Sequence, residues 1–143
     1  MDKLVNIYLR KGKFFISALH KTEAGFWVAD PEKTVLEGSD ESSLQQAVVA
    51  ALARSKNGVP TPPRGANIVG PLLTAANVSS WSTFSKLAKC VDVHLGNGEL
   101  EITPYRNMGG TDGYEPISEK VLKLSEGSEG LGKAVLTAFE VAD

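Results

Sequence analysis

The sequence predicts an α+β fold, in which a single domain over residues 1–143 forms an antiparallel sheet from two degenerate strand-rich repeats, each closed by a helix. Three observations predict this fold. A chain of 143 residues is the size of one ordinary domain and is long enough to bury a core without disulfides. Two segments of the chain match each other at a nearly constant offset. Each segment alternates apolar and polar residues and then continues into an apolar stripe with helical spacing.

The two repeats become visible when the chain is aligned with itself. Shifting residues 3–17 by 86 positions gives five identical pairs, which are Lys3/Lys89, Val5/Val91, Leu9/Leu95, Gly12/Gly98 and Ile16/Ile102. A shift of 87 aligns a later block, which pairs Leu44, Ala47, Val48 and Ala51 with Leu131, Ala134, Val135 and Ala138. Matching order and nearly equal offsets favour a duplication, with repeats at approximately 3–52 and 89–139 joined by a proline-containing connector.

Each repeat is predicted to open with a β-hairpin. Val5, Ile7 and Leu9 alternate with more polar residues, as do Val91, Val93 and Leu95, which is typical of strands with one buried face. Asn97 and Gly98 favour a type I′ turn because both central positions need positive φ, and Lys11 and Gly12 occupy the matching place in the first repeat. Further short strands are predicted near residues 26–29, 34–37 and 121–124.

A helix is predicted to close each repeat, because a capping residue precedes an apolar stripe in both. Ser39 and Asp40 precede the first stripe, and Ser128 precedes the second. The stripes are Leu44, Val48, Val49 and Leu52 in the first repeat and Leu131, Val135, Leu136 and Phe139 in the second. Between the repeats, residues 55–80 are predicted to form a linker or draped loop because prolines 60, 62 and 63 prevent a regular helix. Residues 80–88 are predicted to form a short capped helix before the second hairpin.

Composition and charge exclude several classes of protein. The chain has 15 Lys and Arg against 17 Asp and Glu, and this balance is untypical of nucleic-acid or membrane-surface binding. No stretch approaches the roughly 18 apolar residues of a membrane helix, and no secretory apolar region follows the N-terminus. Cys90 stands alone, and its spacing to His20 and His94 matches no zinc site. We therefore expect a cytoplasmic protein with no metal or cofactor and with no nucleic-acid or membrane partner.

No group of residues is typical of a catalytic site, which predicts a protein without enzymatic activity. His94 falls on the polar side of its strand, and His20 stands beside Lys21 at a strand end. Cys90 suits a small apolar filler better than an activated nucleophile. Residues 109–113 (GGTDG) lack the Lys-Ser/Thr and the helix start of a phosphate-binding loop, so a surface loop is favoured. A small hydrolytic enzyme that uses His20 or His94 stays open as a third hypothesis.

The tip of the first hairpin is basic and supports an alternative hypothesis, a small nucleic-acid-binding module. Arg10, Lys11 and Lys13 cluster there, with Phe14 and Phe15 nearby. Such a tip can follow a phosphate backbone while an aromatic ring stacks on a base. The matching second tip, residues 96–99, carries no basic residue, so a solvated positive hairpin is favoured over an RNA-binding platform.

The second half of the chain is acidic and contains the predicted partner-binding residues. Residues 1–71 sum to a charge of +2 and residues 72–143 to −4. Acidic residues interleaved with tyrosine suit recognition of a basic protein surface, because charge raises the association rate and tyrosine supplies contact area. The predicted partner-binding residues are Glu99, Glu101, Asp112, Tyr114 and Glu115. A solvated acidic face is the alternative interpretation.

Four segments carry a family resemblance over most of the chain: residues 13–17 (KFFIS), 81–86 (WSTFSK), 103–107 (TPYRN) and 130–135 (GLGKAV). In this order they resemble the immunity proteins of bacterial contact-dependent growth inhibition systems, the CdiI type. The resemblance implies a cytoplasmic protein that binds and neutralises the C-terminal toxin domain of its own system, often a nuclease. It implies no catalytic residues. The leading hypothesis is accordingly a non-enzymatic inhibitor that covers the active site or substrate path of a cognate toxin, which we expect to be a nuclease.

Overall fold

The computed structural model describes residues 2–38, 40–109 and 112–143, which form nine strands and four α-helices. In chain order these elements are β1 (Lys3–Arg10), β2 (Lys13–Thr22), β3 (Trp27–Ala29), β4 (Thr34–Glu37), α1 (Glu41–Arg54), β5 (Asn57–Val59), α2 (Gly70–Ala75), α3 (Trp81–Ser85), β6 (Ala88–Gly96), β7 (Glu99–Asn107), β8 (Tyr114–Pro116), β9 (Leu122–Ser125) and α4 (Leu131–Val141). A short 3-10 helix (Ser118–Lys120) lies between β8 and β9.

One sheet contains all nine strands, with β1 and β6 side by side at its centre. Its strand order is β3-β2-β1-β6-β7-β8, and β4 and β5 also pair with β2 while β9 pairs with β7. Every pairing is antiparallel except that of β2 with β5, which is parallel. The predicted α+β class with an antiparallel sheet is confirmed, and β5 adds one parallel pair that the sequence did not indicate.

Both hairpins turn through two residues with positive φ, as predicted. The φ angles are 49° at Lys11 and 76° at Gly12, and they are 52° at Asn97 and 74° at Gly98. Two-residue turns of this hand match the right-handed twist of the flanking strands. The turns therefore hold the two hairpins in equivalent registers although Lys11 is a less favourable first residue than Asn97.

The two halves of the sheet repeat the same strand pairing. Ile7 pairs with Ile16 in the first hairpin, and the residues 86 positions later, Val93 and Ile102, pair in the second. The offset between matching strands is 87 positions for β3 and β8 and 88 positions for β4 and β9. Each one-residue change in this offset falls in a loop between elements. The repeat boundaries, 3–52 and 89–139, stay a prediction.

Helices α1 and α4 pack on one face of the sheet and form the main core with it. Alternate residues of the central strands point toward these helices and are fully buried; they are Val5, Ile7, Val91 and Val93. The helices contribute the predicted stripe residues Leu44, Val48, Leu52, Leu131, Val135 and Phe139 to the core, with Leu136 partly buried at its edge. Val49 differs from the prediction, because 51% of its surface is exposed.

The connector between the repeats contains regular structure: β5 and α2 correct the prediction of a linker or draped loop over residues 55–80, and α3 confirms the short capped helix predicted over residues 80–88. Strand β5 pairs with the end of β2, and helices α2 and α3 lie against the sheet face opposite α1 and α4. We call this second side the connector face. Leu72 from α2 and Phe84 from α3 are buried there against Phe15 of β2 and Ala88 of β6. The prolines exclude a helix only at residues 60–63, and apolar residues on either side still bury against the sheet.

The two long helices begin with different caps. The side chain of Asp40 accepts a hydrogen bond from the backbone N–H of Ser43 at 2.8 Å, which confirms Asp40 as the cap of α1; Ser39 lies outside the described residues. Ser128 does not cap α4, because the N-cap residue of this helix is Gly130, which makes no side-chain capping hydrogen bond. Instead, Oε1 of Gln45 in α1 accepts from the backbone N–H of Gly132 at 3.0 Å. No helix of the described ranges is long and apolar enough to cross a membrane.

Candidate partner-binding surface

The five predicted partner-binding residues lie at two ends of β7. Glu99 and Glu101 begin the strand, whereas Tyr114 and Glu115 belong to β8, which pairs with its last residues. Nine residues of extended strand span about 26 Å at about 3.3 Å per residue, so the two groups lie far apart. Asp112 is exposed beside the second group, and Gly110 and Thr111 of the predicted glycine loop lie outside the described residues.

Side-chain direction divides these residues further. Residues 100 and 102 of β7 are buried toward the helices, so alternation places Glu99 and Glu101 on the connector face. Tyr114 pairs with Asn107 and shares that face, whereas Glu115 pairs with Arg106 and points to the opposite side of the sheet. The structure thus brings Glu99 and Glu101 together and separates Glu115 from Tyr114.

Tyr114 is part of an aromatic cluster on the connector face rather than a free surface ring. Its hydroxyl donates to the carbonyl oxygen of Ala88 at 2.8 Å, and its ring centroid lies 5.8 Å from that of Tyr8 and 6.3 Å from that of Trp81. Burial raises the pKa of its phenol. Phe84 completes the cluster, with its ring 5.3 Å from Tyr8 and stacked on Trp81 at 5.6 Å. These contacts give Tyr114 a structural role whatever it binds.

A polar network occupies the centre of the connector face. Nδ2 of Asn6 donates to Oδ1 of Asp92 at 2.8 Å, and the hydroxyl of Tyr105 donates to Oδ2 of Asp92 at 2.8 Å. Burial raises the pKa of the Asp92 carboxyl, and the hydrogen bonds from Asn6 and Tyr105 act in the opposite direction. Sequence reasoning missed this network, although a shift of 86 aligns Asn6 with Asp92 and marks two polar positions within apolar strands.

A cavity of about 360 Å³ opens beside this network. The sheet supplies its floor, with Asn6 and Tyr8 from β1, and the connector supplies a wall that includes Leu72 and Trp81. Lys33, in the loop between β3 and β4, is the one residue with a full charge in its lining. This cavity was not predicted, because the connector residues that close it were not expected to fold onto the sheet.

The basic hairpin tip does not present the aromatic rings that base stacking needs. Phe14 and Phe15 are 5% and 2% exposed, and they point to opposite faces of the sheet. Arg10 is also buried, with Nε donating to the carbonyl oxygen of Phe84 at 3.2 Å and its guanidinium 5.7 Å from that ring. Lys11 and Lys13 are exposed. The tip therefore offers two solvated ammonium groups to a partner.

The histidines and the cysteine lie in separate places. Nε2 of His20 lies 2.8 Å from Oδ2 of Asp30, whereas Nε2 of His94 lies 3.3 Å from Oδ1 of Asp2. Cys90 is buried, and desolvation together with the nearby Asp92 raises the pKa of its thiol well above the usual range. Among the described residues, no three His, Cys, Asp or Glu side chains form a group that could hold a metal ion.

The fold of this chain is similar to the folds of two solved structures. No protein-family model and no curated protein matches the chain. A solved structure of a protein of unknown function from Neisseria meningitidis is similar with a TM-score of 0.82 and 19% identity, covering 100% of this chain and 96% of that one. A chain of a CdiA-CT/CdiI toxin and immunity complex from Yersinia pseudotuberculosis is similar with a TM-score of 0.76 and 15% identity, covering 100% of this chain and 98% of that one. The chain therefore shares its whole fold with both solved chains.

Proposed function

We propose that this protein is a non-enzymatic immunity protein of the CdiI type, which binds the toxin domain of its own contact-dependent growth inhibition system and covers the active site. The similarity of its entire fold to a chain of a toxin and immunity complex carries the proposal. The separated positions of His20, His94 and Cys90 support an inhibitor rather than a hydrolytic enzyme. We further propose that the toxin is a nuclease and that the complex forms in the cytoplasm.

The acidic residues at the start of β7 are the best-placed part of the proposed interface. Glu99 is exposed, and Glu101 next to it on the same face is half-exposed. A nuclease must attract phosphate groups and so presents a positive cleft, which two neighbouring carboxylates can enter in place of the substrate backbone. Asp112 and Glu115 are a second acidic pair near the far end of the strand, and they need a separate test.

The experiment measures association of the purified protein with the purified toxin domain of its own growth inhibition system. Glu99→Lys combined with Glu101→Lys tests the first acidic site, and Asp112→Lys combined with Glu115→Lys tests the second. The matched control is Lys11→Glu combined with Lys13→Glu on the other hairpin tip. Arg10 is left out of the control because its burial would confuse binding with stability.

We expect the Glu99 and Glu101 variant to slow association by about tenfold or more at low salt, with a smaller effect at high salt because screening weakens charge steering. The control should associate at the wild-type rate. Tyr114 is tested by Tyr114→Phe, which keeps the ring in its cluster and removes only the hydroxyl. If the control abolishes binding while both acidic variants bind normally, the basic tip becomes the interface. If no variant or wild-type protein binds the toxin or protects cells from it, the immunity function is wrong.

A further inference from the structure

We propose that the cavity on the connector face binds a small organic monoanion with an apolar body, such as a medium-chain carboxylate, whose charge pairs with Lys33. This inference does not depend on the proposed toxin partner. It rests on the volume of the cavity, on its apolar lining and on the hydrogen-bond donors that the Lys33 ammonium has left for an anion.

The lining is almost entirely apolar and comes from both walls. Leu19 and Tyr8 line the sheet side, and Ile68, Leu72 and Trp81 line the connector side. Its volume of about 360 Å³ falls in the range of sites for small ligands. Transfer of an apolar chain from water to such a surface is favourable, so the lining selects the body of a ligand rather than its charge.

Lys33 supplies the charge that selects the other end of the ligand. Its Nζ donates to the backbone carbonyl oxygen of Asp30 at 2.6 Å. An ammonium has three donors, and within the described chain this is the one hydrogen bond that Nζ makes, so two donors stay available to an anion. A carboxylate that accepts from them forms a charge-assisted hydrogen bond.

The nearby carboxylate of Asp30 is already engaged and does not satisfy Lys33. Oδ2 of Asp30 lies 2.8 Å from Nε2 of His20, Oδ1 accepts from the backbone N–H of Glu32 at 2.7 Å, and Arg54 lies 3.9 Å away. Burial lowers the pKa of Lys33 to about 8, with Asp30 acting to raise it and Arg54 to lower it. A bound anion would offset this desolvation and hold the ammonium in its charged form.

The other polar groups of the cavity do not oppose an anion. Asn6 contributes an uncharged amide and Ser17 an uncharged hydroxyl. Burial raises the pKa of Tyr8, whose phenol stays protonated. Asp92 lies behind Asn6, where Asn6 and Tyr105 hold its two carboxylate oxygens. Lys33 therefore dominates the charge that a ligand meets.

Octanoate and octanol are suitable probes because they share an apolar chain and differ in charge. The sequence has two tryptophans, so the variant Trp27→Phe leaves Trp81 in the cavity wall as the single tryptophan, whose fluorescence is excited selectively. In this background we expect octanoate at pH 7 to change Trp81 fluorescence with an affinity about tenfold or more above that of octanol. The preference should fall as the pH rises from 7 to 10 and Lys33 loses its proton.

Three variants locate the effect. Lys33→Gln should reduce octanoate affinity to that of octanol and leave octanol binding unchanged. Lys120→Gln is the matched control, because a shift of 87 aligns this exposed lysine with Lys33, and its probe affinities should equal those of the parent. A cavity filled by Ala29→Phe should bind neither probe.

Three results would overturn the proposal. Equal affinities for octanoate and octanol would show an apolar cavity without selection for charge. A preference that survives Lys33→Gln would place the anion elsewhere. If neither probe binds, by fluorescence or by calorimetry, the cavity is not a small-ligand site, even if a partner protein reaches into it.

Discussion

Asn6 and Asp92 face each other at the centre of the sheet, and they are also aligned with each other when the sequence is shifted by 86 positions. They are a register pair of β1 and β6, joined by the 2.8 Å hydrogen bond from Nδ2 to Oδ1. The helix layer repeats this relationship, because a shift of 87 carries Gln45 onto Gly132 and a 3.0 Å hydrogen bond joins them. Contacts between positions that the predicted duplication makes equivalent are what a pseudo-twofold relationship between the two repeats requires.

Equivalence of the two positions predicts the effect of making the central pair identical. Asn6→Asp places two carboxylates in hydrogen-bond contact in a mostly buried site, where one must take up a proton or both repel. We expect the free energy of unfolding at pH 7 to fall by about 2 kcal/mol or more. Denaturant unfolding measures this change.

The matched control exchanges the two residues. Asn6→Asp combined with Asp92→Asn restores one amide and one carboxylate in mirrored positions, and it should recover most of the lost stability. Additive losses in the double variant would contradict the equivalence of the two positions.

The pH dependence of stability should report the raised pKa of Asp92. Between the unfolded pKa of about 3.9 and the higher folded pKa, the native protein holds more protons than the unfolded chain. Stability from this group is therefore largest at low pH and falls as the pH rises through that window. Asp92→Asn removes the titration, so its stability relative to wild type should improve from pH 4 to pH 7. A difference that stays constant with pH would show that Asp92 has an ordinary pKa.

Gly132 marks a close approach of α1 and α4 that no side chain fits. A Cβ at this position would overlap the carbonyl oxygen of Glu41 and lie 3.1 Å from Cβ of Gln45. Gly132→Ala should therefore lower the free energy of unfolding by about 1–3 kcal/mol, despite the higher helix propensity of alanine. Gly130→Ala is the control, because its Cβ would meet nothing closer than Oγ of Ser128 at 3.6 Å. Equal stability of the two variants would contradict the close helix contact.

The elements that short stretches of sequence specify were predicted correctly. Strand β4 matches the predicted residues 34–37, the two turns have the expected positive φ angles, and Ser80 caps α3 through the backbone N–H of Thr83. The missed elements depend on distant partners. Strand β5 has only three residues and is held by backbone hydrogen bonds to β2, such as that from Lys21 N–H to the carbonyl oxygen of Lys56.

The candidate sites were harder to predict from the sequence than the strands and helices, because they are formed by tertiary contacts. The sequence identified Glu99 and Glu101 as neighbours because alternation places residues i and i+2 on one strand face. It could not show that Glu115 points away from Tyr114, since β8 itself was not predicted. The Lys33 cavity also escaped prediction, because its walls come from segments some 40 residues apart in the chain, such as Lys33 and Leu72.

In the basic hairpin, residues of the same charge are expected to contribute very different amounts to stability. Arg10 is 8% exposed, packs on Phe84 and donates to its carbonyl oxygen, whereas neighbouring Lys11 is exposed in the turn. Arg10→Ala removes this hydrogen bond, the contact of the cation with the ring and the packing of the aliphatic stem. We expect a loss of about 2 kcal/mol in the free energy of unfolding, against less than about 0.5 kcal/mol for Lys13→Ala on the exposed side of the same tip. Denaturant unfolding of both variants measures the difference. If Arg10→Ala is as stable as wild type, Arg10 is free to reach a phosphate backbone and the nucleic-acid alternative regains its strongest residue.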